Sequence, residues 1–108
     1  MSFVEATQVD QVPDGQMKSF NVNGEEILVV NNEGKFYAIS GTCPHMGGEL
    51  SKGILEGTIV TCPLHHSRYE VTTGNCLSGP KMGFVTLKTK DVRAYEVRVE
   101  DNSVQVNV

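Results

Sequence analysis

The chain has 108 residues, room for one small domain, and carries a formal net charge of −4. That acidity excludes non-specific nucleic-acid binding, which depends on an excess of Lys and Arg. The longest aliphatic run, Ile27-Leu28-Val29-Val30, is far too short to cross a bilayer.

The first residues, Met1-Ser2-Phe3-Val4-Glu5, have neither a basic region nor an apolar core, so they do not read as a signal peptide. Eleven glycines and frequent Val, Ile and Thr favour short strands joined by turns. Phe3 to Ala6 reads as a first strand, and Pro13-Asp14-Gly15 as a turn in which proline presets φ. Lys18–Val22 and Glu25–Asn31 flank Asn23-Gly24, a two-residue hairpin signal. Asn32-Glu33-Gly34 turns the chain into Lys35–Ser40. There Phe36, Ala38 and Ser40 fall on one face and Tyr37 and Ile39 on the other. The expectation to this point is an antiparallel meander without a helix.

Two short boxes follow, Cys43-Pro44-His45 and Cys62-Pro63-Leu64-His65, with sixteen residues between His45 and Cys62. Between them they hold every cysteine except Cys76 and every histidine except His66. Each box offers one thiolate and one imidazole, both good ligands for first-row metals. Gly53–Gly57 reads as a bend, Thr58–Thr61 as a strand entering the second box, Ser67–Val71 as a strand leaving it, and Thr72-Thr73-Gly74 as a turn. Further strands are expected at Phe84–Thr89, Arg93–Val99 and Val104–Val108, the last two joined at Asp101-Asn102.

The ligand pattern Cys-x-His, sixteen residues, Cys-x-x-His resembles the Rieske ferredoxin family. The resemblance continues through Gly47-Gly48-x-Leu50-Ser51-x-Gly53, Gly57-x-x-x-Thr61, Thr73-Gly74 and Gly79-Pro80. It implies an all-β fold, a small antiparallel sandwich or barrel-like base (1–40 and 81–108) carrying an inserted cluster-binding subdomain (41–80). It implies one [2Fe–2S] cluster per chain, with Cys43 and Cys62 on one iron and His45 and His65 on the other. Two neutral imidazoles in place of two thiolates lower the electrostatic work of adding an electron, so such centres sit at about −150 to +300 mV against roughly −400 mV for plant-type ferredoxins. Gly47, Gly48, Ser67, Tyr69 and Pro80 would shape the surroundings of the cluster and tune its potential.

The implied function is one-electron transfer by a soluble, cytoplasmic and monomeric carrier. It would pass electrons from a reductase to a terminal oxygenase, with no membrane or nucleic-acid partner and no catalysis of its own. With two cysteines on iron, Cys76 lacks an intrachain partner, which fits a reducing compartment. Cys76 then reads as a buried unreactive thiol, and His66 as an exposed loop side chain. Three features depart from parts of the family. Ser67 and Tyr69 are the hydroxyls that, in high-potential respiratory Rieske proteins, donate to a bridging sulfide and a cysteine sulfur. The disulfide that joins the two loops in those proteins would fall on Gly48 and Leu64, which cannot form it. Residues 82–92 run longer than is usual, and an added strand or hairpin is expected there.

Two other readings stand beside this one. A small subunit of a larger oxidoreductase would carry the same boxes. A Cys₂His₂ zinc module accepts the same atoms, although zinc fingers usually pair Cys with Cys and His with His. The protein isolated natively is expected to contain two irons and two acid-labile sulfides per chain. Stoichiometric zinc without sulfide would contradict the iron–sulfur reading.

Overall fold

The structure, a computed structural model, describes residues 2–43, 48–64, 66–78, 81–82, 85–86 and 90–108, with backbone alone at 81–82 and 85–86. Four strands open the chain: β1 (Phe3–Gln8), β2 (Met17–Val22), β3 (Glu25–Asn32) and β4 (Lys35–Ser40), with a 3₁₀ turn at Val9–Gln11 after the first. A second 3₁₀ turn, Leu50–Lys52, precedes β5 (Ile54–Glu56), β6 (Ile59–Thr61), β7 (Arg68–Glu70) and β8 (Cys76–Ser78). The two-residue strands β9 (Lys81–Met82), β10 (Val85–Thr86) and β11 (Ala94–Tyr95) lead to β12 (Val97–Glu100) and β13 (Ser103–Asn107). No α-helix occurs among the described residues.

The strands form three main antiparallel sheets, β1-β13-β12, β11-β4-β3-β2 and β5-β6-β7-β8, and the ribbon β10-β9. The second is the central layer, because both of its faces are buried. Along β3, Ile27 and Val29 enter one core with Ala38, Val104 and Val106. Leu28 and Val30 enter the other with Ile39, Leu50, Val60 and Tyr69. Side chains alternate across a strand, so a run of four aliphatic residues can serve two cores at once. Each fully buried aliphatic side chain contributes about 1.5–3 kcal/mol. The expected division of β4 holds, with Phe36 and Ala38 in one core and Tyr37 and Ile39 in the other.

The expected hairpins are present. Val22↔Glu25, Asn32↔Lys35 and Glu100↔Ser103 close two-residue turns whose central residues all have positive φ: Asn23 and Gly24, Glu33 and Gly34, Asp101 and Asn102. Those conformations match the twist of the flanking strands. Glu33 is an unusual residue for such a place. Its amide donates to Asp14 Oδ1 at 2.6 Å, which ties the turn to the Pro13-Asp14-Gly15 bend.

Three readings need correction. Gly53–Gly57 is more than a bend, since Ile54–Glu56 pairs with β6 through a turn at Gly57, where φ is +63°. Cys76–Ser78 is a strand that the sequence reading left out, and three residues are too few to display a period. The segment expected as one strand at Arg93–Val99 is two. Ala94 and Tyr95 pair with β4, Val97 begins the pairing with β13, and Glu96 lies where the chain changes sheet. In the long segment 82–92 the expected extra hairpin takes the form of β9 and β10, centred slightly earlier. Of the strand expected at Phe84–Thr89, Val85–Thr86 is present and Phe84 and residues 87–89 lie outside the described residues.

Gly53 shows how tightly the third sheet is joined to the second 3₁₀ turn. Its φ is −87°, open to any residue, yet a Cβ there would lie 1.9 Å from the Thr61 carbonyl oxygen and 3.2 Å from that of Leu50. The obstacle is backbone and cannot swing aside. Overpacking of this kind costs about 1–3 kcal/mol, so Gly53→Ala should destabilise by roughly 2 kcal/mol or more in denaturant unfolding. A variant within about 0.5 kcal/mol of the parent, the range of inert surface changes, would contradict the close approach.

Candidate metal centre

Cys43 follows the central strand β4 in a loop closed by short backbone bonds. The Cys43 amide donates to the Gly48 carbonyl at 2.8 Å, Thr42 bridges Glu49, and the Leu50 amide donates to the Gly41 carbonyl at 3.0 Å. Leu50, fully buried, pins the far end of this loop into the core. Cys62 directly follows β6. Its amide donates to the Ser67 carbonyl at 2.7 Å, and its carbonyl accepts from the His66 amide at 3.2 Å. His66 is exposed, as expected, and its φ of +63° is a conformation that favours glycine.

Both cysteines are almost wholly buried, Cys43 at 2% exposure and Cys62 at 1%, within the core that contains Leu28, Ile39, Val60 and Tyr69. The two loops meet at Gly48. A Cβ built on it would lie 3.1 Å from Cys62 Sγ and 2.9 Å from Leu64 Cδ1. The positions where the loop disulfide would fall are therefore adjacent, and Leu64 fills the space. Tyr69, with no exposed surface, places its hydroxyl 3.4 Å from Cys43 Sγ. Burial, and then the neighbouring Cys43, push the phenol's pKa well above its ordinary value, with a smaller opposing influence from Ser67. A phenol held in its neutral form is a donor towards sulfur. Ser67 is buried at 1% exposure, and its hydroxyl lies beside that of Tyr69 without a well-formed hydrogen bond among the described residues. Cys76 packs against the same core but is only half-buried, a correction to the buried thiol expected.

His45, Gly47, His65 and Pro80 lie outside the described residues. The described residues bring Cys43, Cys62, Gly48, Ser67 and Tyr69 into one place. These residues fit an inorganic sulfur-containing centre. A thiolate in an apolar core is costly unless a cation takes up its charge. A buried hydroxyl without an acceptor costs about 1–3 kcal/mol, and a sulfide beside it would be that acceptor. The glycine leaves open the space that a Cβ would take beside the cysteine sulfur.

An open cleft of about 390 Å³, reaching the chain just before Cys43 at Thr42, is lined by Glu25, Glu26, Thr42, Asp91, Arg93 and Tyr95 among others. The Tyr95 hydroxyl donates to Glu25 Oε2 at 2.6 Å, and the Arg93 guanidinium lies 4.6 Å from the ring centroid. Sequence reasoning gave these residues no role, because only the fold brings β3, β4 and the segment before β11 together.

Three comparisons bear on this geometry. The family model described as Rieske [2Fe-2S] domain matches residues 2–99. The ferredoxin component of the naphthalene 1,2-dioxygenase/salicylate 5-hydroxylase systems of Ralstonia sp. is 35% identical over 107 residues, 99% of this chain and 96% of that protein. Among solved structures, the ferredoxin of carbazole 1,9a-dioxygenase from Nocardioides aromaticivorans IC177 aligns with a TM-score of 0.81 and 31% identity, covering 98% of this chain and 97% of that one. A complex of reduced oxygenase and oxidized ferredoxin in carbazole 1,9a-dioxygenase aligns with a TM-score of 0.77 at 27% identity, over 96% of this chain and 91% of the other.

Tyr95 supplies a pH test of the cleft. Burial, then the Glu25 carboxylate, push its pKa up to about 12, against a smaller lowering by Arg93. A pKa raised in the folded state gives stability that is present in full below the unfolded value of about 10 and is lost as pH rises towards 12. Tyr95→Phe should therefore lose less stability than the parent between pH 10 and 12 in denaturant unfolding. Equal losses would show that Tyr95 is not held as a phenol by its surroundings.

Proposed function

The chain belongs to the Rieske [2Fe–2S] domain family, and from that premise we propose that it is a one-electron carrier whose cluster is held by Cys43, His45, Cys62 and His65. Its donor is a reductase and its acceptor a terminal oxygenase. In this reading residues 41–80 form the cluster-binding unit, and residues 1–40 and 81–108 form its base. The observation that carries it is the pairing of two almost fully buried cysteines with two buried hydroxyls, Tyr69 on Cys43 at 3.4 Å and Ser67 beside Tyr69.

When bound, the cluster takes up and gives back one electron. The chain's own residues set how readily that happens. Cys43, three residues beyond β4, and Cys62, directly after β6, are held by strands that are each paired in a sheet. Gly48 keeps the loop backbone against Cys62. Ser67 and Tyr69 donate hydrogen bonds towards sulfur, and these strengthen as negative charge grows on reduction, so they favour the reduced form. Gly47 and Pro80 are assigned to the cluster's surroundings by the family resemblance alone. The partner reading is supported by relatives such as the ferredoxin component from Ralstonia sp., and by the carbazole 1,9a-dioxygenase complex of oxygenase and ferredoxin. No helix among the described residues is long and apolar enough to cross a membrane.

Hydrogen bonds to charged groups contribute about 1.5–3 kcal/mol. Only the change on reduction counts, on the order of 1 kcal/mol each, or roughly 40 mV for one electron. Ser67→Ala and Tyr69→Phe should each lower the potential by about 40 mV in protein-film voltammetry. Unchanged potentials in both would reduce these side chains to packing. The partner is tested by mixing reduced protein with a substrate-loaded terminal oxygenase from a naphthalene dioxygenase system. Rapid reoxidation that slows as salt rises is the expected result for an acidic carrier. Failure to reoxidise in the presence of active oxygenase would count against it.

A further inference from the structure

The segment before β11 forms a strap between the strand that carries Tyr69 and the strand that leads to Cys43. On one side, Asp91 Oδ1 accepts from the Cys76 amide at 2.7 Å, and the Val92 amide donates to the Gly74 carbonyl at 2.8 Å. Gly74 and Cys76 bound the turn between β7 and β8, and Cys76 stands opposite Tyr69 in the sheet. On the other side, the Ser40 amide donates to the Arg93 carbonyl at 2.8 Å, and Ala94 pairs with Ile39. Ser40 ends β4, three residues before Cys43. Val92 is 6% exposed and packs in the core that holds both cysteines.

The fit is close. Gly74 has φ +80°, and a Cβ there would lie 2.2 Å from the Val92 carbonyl oxygen. β8 is an edge strand, whose outward amides would otherwise face water. A carboxylate is the stronger acceptor for such an amide. The strap thus spans from the Tyr69 side to the Cys43 side and has a hydrogen bond on each.

We propose that the strap Asp91-Val92-Arg93 positions the Tyr69 hydroxyl on the Cys43 sulfur, so that Asp91, distant in sequence from both boxes, helps to set the reduction potential. Asp91 is a positioning residue and acts through Tyr69. The proposal rests on the reading of Tyr69 as a donor to a cluster-bound Cys43. Its sign separates it from simple electrostatics. Removing a negative charge near a cluster eases electron uptake and raises the potential, whereas loosening a hydrogen bond to the cluster lowers it.

The test is voltammetry of the cluster-loaded protein and of Asp91→Ala, Asp91→Asn, Tyr69→Phe and the double variant Asp91→Ala/Tyr69→Phe. Asp91→Ala should weaken electron uptake about threefold. Asp91→Asn, which keeps an oxygen acceptor for the Cys76 amide, should not weaken it. In the Tyr69→Phe background, Asp91→Ala should weaken uptake no further. Val92→Ala, which thins the buried anchor of the strap, should reproduce the pattern by an independent change. A potential raised equally by both Asp91 variants, or lowered equally with and without the Tyr69 hydroxyl, would overturn the proposal. If Tyr69→Phe lowers the potential and neither strap variant does, the strap alone is refuted. If Tyr69→Phe itself leaves the potential unchanged, the hydrogen-bond reading falls and the strap proposal with it.

Discussion

Two cysteine side chains lie in an apolar core, each with 2% or less of its surface exposed. A thiol can rest there, but a thiolate cannot unless a cation takes its charge. Much else in the fold follows from making that place and keeping it dry. The central sheet supplies the floor through Leu28, Val30 and Ile39, and the third sheet supplies the wall through Val60 and Tyr69. The loop closures at Gly48 and Ser67 bring polar backbone to the edge of the site with its hydrogen bonds already made. Among the described residues, the hydroxyls of Tyr69 and Ser67 are buried there, and both are suited to sulfur as acceptor.

The doubly buried central layer explains why the base can be small. Ile27 to Val30 face two cores in alternation, so one strand organises both the β1-β13-β12 sheet and the side that carries the cysteines. A displacement of β3 by one residue would exchange the two sets. The three two-residue hairpins with positive φ at both central residues fix the register and so protect the site from a distance.

Much of this was legible in the sequence. Asn23-Gly24, Glu33-Gly34 and Asp101-Asn102 announce their turns, and the alternation in Lys35–Ser40 assigns its faces. The two boxes announce their chemistry through residue type and spacing, and the family match over residues 2–99 agrees with it. What escaped was short or non-local. Ile54–Glu56 and Cys76–Ser78 have three residues each, too few to show a period. The change of sheet at Glu96 is visible only once β4 and β13 are both in place. Gly48 against Cys62, and Asp91 on the Cys76 amide, join residues 14 and 15 positions apart, respectively, across loops with no pattern of their own.

The central claim is that histidines hold one side of the cluster, and the most direct measurement is the reduction potential against pH. An imidazole bound to iron through one nitrogen still carries a proton on the other. Iron makes that proton more acidic, and ferric iron more so than ferrous. Below the oxidised pKa values the potential is flat. Above them each reduction takes up a proton, and the potential falls by roughly 59 mV per pH unit, steepening towards about twice that if both histidines titrate as a coupled pair. His66→Ala removes the exposed His66 imidazole as a source of the effect. A fall of this kind in the His66→Ala protein is the predicted result. A potential that stays flat from neutral to strongly alkaline pH, with the cluster intact, would contradict ligation by His45 and His65.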